Sequence, residues 1–202
     1  MSGALVLVSC FGASLAAAIP GAIDRRALVS RHSIEWDDPS GQLPLGNGDF
    51  CFNADGTGLQ TFGGNTMAHW GWHSFPLPEG WTAEEVPATG TFGRGRLTGG
   101  DEFPPDTAAL RTWMYDNPHR LNLARFRLCG SAGRELSPRL FSSFSRRLDL
   151  WSGIQVSTFE LKGQAVRVET CTHPELDAVA VRIESPLLSQ GDLQVAMDFP
   201  YP

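Results

Sequence analysis

The segment His69-Trp70-Gly71-Trp72-His73-Ser74-Phe75 sets two indoles, two imidazoles and a phenyl ring within a few residues of one another. Flat indole faces stack on the apolar faces of sugar rings, and an imidazole or amide beside them can hydrogen-bond ring hydroxyls, so Trp70, Trp72 and His73 are candidate carbohydrate contacts. Asn47 and Gln60 flank the hairpin that feeds this segment and are candidates to support it through amide hydrogen bonds. The same residues have a plainer reading. Tryptophan is large and mostly buried wherever it occurs, so the rings also suit a small satellite core, and the two amides suit ordinary turn and strand positions.

Other chemistries find less support. His32, His69, His73, His119 and His173 include no HExxH or paired-ligand spacing, so no metal is expected. Asn53-Ala54-Asp55-Gly56-Thr57-Gly58 opens like a calcium loop, yet Gly64 stands where a bidentate Glu belongs, and a turn between strands explains the run. Gly93-Arg94-Gly95-Arg96-Leu97-Thr98 departs from a dinucleotide fingerprint at Thr98 and has no strand and helix around it. There is no Gly-x-Ser-x-Gly elbow, and the adjacent acids Asp37-Asp38, Glu84-Glu85 and Asp101-Glu102 would point to opposite faces of an extended chain. No catalytic residue and no cofactor is expected.

The elements that must position the aromatic segment read mainly as strands. Ile154, Val156 and Thr158 alternate with polar residues, as do Val166, Val168 and Thr170, then Val179, Val181 and Ile183, then Leu193, Val195, Met197 and Phe199. Turn residues at Lys162-Gly163-Gln164, His173-Pro174-Glu175 and Ser189-Gln190-Gly191-Asp192 predict consecutive antiparallel pairing. Earlier strands are expected at His32 to Trp36, in a hairpin from Asp49 to Phe62 turning at Asp55-Gly56, and from Leu121 to Leu128. One short helix, Ala108 to Tyr115, is expected after an Asp106 or Thr107 cap and before Pro118. Gly63 to Pro105 has no sustained period. The pattern predicts a mainly β protein, an antiparallel β-sandwich with long loops.

The 202 residues suffice for one well-buried domain, and the net charge of −6 offers no attraction to nucleic acid or an anionic membrane surface. Neither partner is expected. Residues 1–23 read as a signal peptide and processing region, with a short apolar run and Ala16-Ala17-Ala18 for cleavage, although no basic residue precedes Asp24. A secreted, extracellular protein follows. Arg25-Arg26 is either a processing site or simply a charged N-terminus. Cleavage would leave Cys51, Cys129 and Cys171, which allow at most one disulfide and read best as buried apolar thiols.

Leu45-Gly46-Asn47-Gly48-Asp49-Phe50, Asp55-Gly56-Thr57-Gly58-Leu59-Gln60-Thr61-Phe62 and Trp70-Gly71-Trp72-His73-Ser74-Phe75-Pro76 follow one another in an order that resembles the opening of secreted six-hairpin glycosidase-like proteins related to glycoside hydrolase families 95 and 65. Asn117-Pro118-His119-Arg120-Leu121-Asn122-Leu123, Arg147-Leu148-Asp149-Leu150-Trp151-Ser152-Gly153 and His173-Pro174-Glu175-Leu176-Asp177 continue the likeness. The resemblance implies that residues 24–202 form an N-terminal super-sandwich. In that architecture a C-terminal helical toroid carries the catalytic carboxylates, and no toroid-like segment occurs in this sequence. Two functions follow as expectations: a non-catalytic sandwich domain or fragment of a hydrolase acting on oligo- or polysaccharides, with the toroid as partner, or a stand-alone lectin-like module using the Trp-rich loop.

Overall fold

The computed structural model describes residues 22–82, 91–92, 96–97 and 107–200, so most of the expected signal peptide lies outside the described residues. Helix α1 (Arg25–Ser30) begins where the Asp24 carboxylate accepts a hydrogen bond from the Ala27 N–H, an ordinary N-cap. The strands follow as β1 (Ile34–Trp36), β2 (Leu43–Gly46), β3 (Phe50–Ala54), β4 (Thr66–Ala68), β5 (Trp72–His73), β6 (Thr91–Phe92) and β7 (Arg96–Leu97). After α2 (Ala108–Asp116) come β8 (His119–Arg120), β9 (Arg125–Cys129), β10 (Phe141–Asp149), β11 (Ile154–Leu161), β12 (Gln164–Thr172) and β13 (Val179–Glu184). A short α3 (Pro186–Ser189) then leads to β14 (Gln194–Asp198).

The protein is mainly β and built as a sandwich. One layer is the antiparallel sheet β1-β10-β11-β12-β13, and facing it lie β2-β3-β4 and the pair β9-β14. Period-two alternation decides which side chains meet between them. Phe159 and Leu161 on β11 and Val166 and Val168 on β12 point inward, against Leu43, Leu45, Phe50, Phe52 and Leu128 of the opposite layer. The β11–β12 hairpin closes on Lys162-Gly163, both with positive φ, as a two-residue turn with right-handed strand twist requires.

Between the layers runs a buried polar segment. Asp55-Gly56 is not the tip of a hairpin, as its local composition suggests: β3 pairs instead with β2 and β4, and residues 54 to 61 pass through the interior. A Cβ on Gly56 would fall 2.6 Å from the Pro39 carbonyl oxygen, and one on Gly58 would fall 2.7 Å from Val168, so only glycine lets the backbone approach this closely. Side chains of both layers reach in to bond it. The Gln155 amide donates to the Asp55 carbonyl at 3.0 Å, the Thr170 hydroxyl to the Gly58 carbonyl at 2.6 Å, and the Gln60 N–H to the Phe126 carbonyl at 2.7 Å. The Asp55 carboxylate accepts from the Thr57 N–H and hydroxyl and from the Phe62 and Gly63 N–H groups.

Other expectations also change. β14 pairs with β9 and not with β13, because Leu187, buried in α3, accepts from the N–H groups of Asp192 and Leu193 and turns the chain across to the other layer. The expected helix is present as α2, while α1 and α3 carried too few residues to show a helical period. Strand β1 starts at Ile34 because His32 and Ser33 close the end of α1 through backbone bonds to Val29 and Ser30. Cys51, Cys129 and Cys171 are free thiols, and only Cys129 is fully buried.

Burial pushes the Asp55 carboxyl above its ordinary 3.8, against the hydrogen bonds that pull it down. The folded chain therefore holds this proton more tightly than the unfolded chain, and the group's contribution makes stability fall as pH rises above 3.8 toward the folded value. In Asp55→Asn an amide would face the Phe62 and Gly63 donors, at about 1–3 kcal/mol for a donor left unpaired. Urea unfolding across acidic pH should show the variant less stable and lacking that part of the slope. A variant with the wild-type slope would disprove this account of Asp55.

Candidate functional site

One end of the sandwich gathers the turns between β2 and β3, β4 and β5, β10 and β11, and β12 and β13. Asn47 joins two of them. Its side-chain carbonyl accepts from the Asp49 and Phe50 N–H groups, which shapes the β2–β3 turn, and its amide donates to the carbonyls of His173 and Leu176 in the β12–β13 loop. That loop returns a contact to the aromatic segment: the Trp70 indole N–H donates to the Asp177 carboxylate at 2.7 Å. A side chain otherwise free to swing is thus held on the surface.

Trp70 is 59% exposed and Trp72 47% exposed, so neither belongs to a satellite core. Trp72 sits on the two-residue strand β5 opposite Arg120 of β8, and its N–H donates to the Trp70 carbonyl. His73, its neighbour on the strand, turns to the other face. There its ring meets Phe75 edge-on at 4.6 Å and lies 5.0 Å from His119. The structure therefore brings Trp70 and Trp72 together on an exposed turn and places His73 in an adjoining aromatic cluster. That cluster is fixed from behind, because Asn117 accepts from the Phe75 N–H and the Trp113 indole donates to the Phe75 carbonyl.

Gln60 lies far from solvent. It is fully buried, its amide donates to the Thr66 hydroxyl and its side-chain carbonyl accepts from the Phe126 N–H, so it steadies the start of β4 from inside. Asn47 steadies the same surface from the neighbouring turn. Both amides act on the framework around the indoles.

Asp177 and Arg120 carry no local sequence signal that would have marked them as neighbours of the indoles. Asp177 lies 107 residues from Trp70 in the chain, and only the fold joins them. Beside them the Asp49 carboxylate stands 3.8 Å from His69, at the mouth of a shallow recess of about 290 Å³ that also includes Arg120, Cys51 and Met67. No group of histidine, cysteine and carboxylate side chains suited to a metal ion occurs among the described residues. What the surface offers is flat apolar area edged by a few hydrogen-bonding groups.

Removing the Asp177 carboxylate should free the Trp70 ring without disturbing the layers beneath it. In Asp177→Ala the Trp70 indole N–H should exchange with water much faster, with stability changed by no more than about 1 kcal/mol for an exposed contact. Unaltered exchange of that proton would mean the contact does not hold the ring.

No family model matches the chain, and no curated protein matches it.

Proposed function

We propose that this chain is a carbohydrate-binding β-sandwich domain of a secreted glycoside hydrolase that acts on oligo- or polysaccharides, with Trp70 and Trp72 as its stacking platform. The observation that carries this reading is the pair of indoles held at the surface, one of them by a carboxylate from a distant loop. A large apolar ring left in water gains nothing for folding, and a ring ordered there in advance lowers the entropic cost of stacking on a sugar. His73 serves this platform through its contacts with Phe75 and His119, and Asn47 and Gln60 serve it through the hydrogen bonds of the turns and the buried segment.

A partner domain of the helical-toroid type finds support on β14. Val195, Met197 and Phe199 follow one another at period two, and they are 49%, 52% and 71% exposed. An apolar row of this kind suits burial against another domain. The lectin-like reading draws on the same indoles: because the groups fixing Trp70 all come from this chain, the platform can bind sugar unaided.

Titration calorimetry of the purified chain with plant and fungal oligosaccharides tests the proposal. Trp70→Ala and Trp72→Ala should each weaken binding about tenfold, equivalent to ~1.4 kcal/mol, with an unchanged melting temperature. Variants that bind as tightly as the wild type would show that sugar does not rest on these rings.

A further inference from the structure

The β10–β11 turn presents another exposed indole, Trp151, 48% exposed. Its setting is built. The Asp149 carboxylate accepts from the Trp151 N–H at 3.1 Å, from the Ser152 hydroxyl at 2.9 Å and from the Ser33 hydroxyl at 3.3 Å, while the Gly153 N–H donates to the Asp149 carbonyl at 2.8 Å. Gly153 completes the turn at a positive φ of 68°. A carboxylate occupied by three donors from its own chain is there to fix the turn, and the Trp151 ring on that turn borders a groove of about 380 Å³.

That groove falls in the range of roughly 300–1,000 Å³ usual for small-molecule sites. Leu150 and Trp151 of the β10–β11 turn, Pro44 and Asn47 beside β2, and Thr172 and Pro174 at the end of β12 line it. No residue lining it has an ionisable side chain. Its occupant should therefore be uncharged, with an apolar face for the indole and hydroxyls for the Ser152 and Thr172 hydroxyl groups.

The groove shares a loop with the first platform. Pro174 lines it, and three residues on, in the same loop, Asp177 holds Trp70. Three residues of chain span at most about 11 Å, so a ligand crossing this loop can touch both sides of it. We propose that the Trp151 groove is a second sugar subsite, and that this end of the sandwich binds a neutral oligosaccharide chain across Trp151 and the Trp70–Trp72 platform. The proposal rests on the carbohydrate reading above and adds to it a ligand class, neutral and extended.

Calorimetry with cello- and xylo-oligosaccharides, from the disaccharide to the hexasaccharide, tests it. In the wild type the hexasaccharide of at least one series should bind tenfold or more tightly than its disaccharide, and Trp151→Ala should remove that gain while leaving disaccharide affinity unchanged. Trp151→Tyr should keep part of it. If Trp151→Ala does not fold, 5-fluorotryptophan-labelled wild type supplies the readout, its Trp151 fluorine signal assigned by loss in Trp151→Tyr. That signal should move with the hexasaccharide. Trp151→Ala that binds the hexasaccharide like the wild type, or a Trp151 signal that stays put at saturation, would overturn the second subsite, and Trp70→Ala would still report on the first. A wild type that binds neither series would overturn the second subsite, and the wider set of plant and fungal oligosaccharides would still decide the first reading. Oligogalacturonides should show no Trp151-dependent gain, and finding one would overturn the neutral class.

Discussion

The sandwich depends on satisfying a backbone that runs through its own interior. Residues 54 to 61 are buried throughout, and an unpaired N–H or carbonyl in such a place costs about 1–3 kcal/mol. Side chains from both layers meet that demand: Gln155 and Thr170 from the five-stranded sheet, and from β9 the Arg125 guanidinium, which donates to the carbonyls of Gln60 and Thr61. The buried segment therefore works as a polar cross-link between the sheets. Apolar packing alone would let two sheets slide, whereas hydrogen bonds fix their register.

The stiffness reaches the surface by a short route. Gln60 bonds Thr66 at the start of β4, Phe50 pairs with Ala68 at its end, and two residues later the chain presents Trp70. On the other side the Phe50 N–H is fixed by Asn47, whose amide grips the loop that supplies Asp177. Trp70 is thus reached from the interior by two chains of contacts that meet at Phe50. Arg146 adds a further constraint near β1: it is buried with its guanidinium 5.0 Å from the Trp36 ring and donates to the Gly41 carbonyl at 2.6 Å, while burial pulls its pKa down.

The sequence showed the strands better than their partners. Alternation over residues 154 to 183 identified β11, β12 and β13 as strands, but the inward face only on β12: on β11 Gln155, Ser157, Phe159 and Leu161 are buried while Ile154 is exposed, and no residue of β13 is fully buried. Asp55-Gly56 was misleading because Asp-Gly favours a turn locally, while the groups that draw it inside, Gln155 and Thr170, lie a hundred or more residues away. β14 showed the right period but not its partner, since pairing with β9 depends on how buried Leu187 steers the connection. The aromatic segment was visible as composition only. Whether Trp70 faced core or water was settled by Asp177, and nothing near Trp70 in the sequence encodes that contact.

The same distinction governs what this end of the molecule can recognise. Asp149 accepts from three donors of its own chain, and Asp177 from the Trp70 indole. What remains around Trp151 is indole area and uncharged polar groups, whereas Arg120, Asp49 and His69 stand beside Trp70 and Trp72. Single rings give modest affinity, because burying one face of a sugar must still offset the ordering of both partners. Several rings fixed in advance on one framework change the balance, since contact with the first brings the next within reach at a high effective concentration. On the proposed reading the hydrogen bonds that hold the turns contribute to recognition although they touch no ligand, since a flexible loop with the same aromatic composition would lose more entropy on binding.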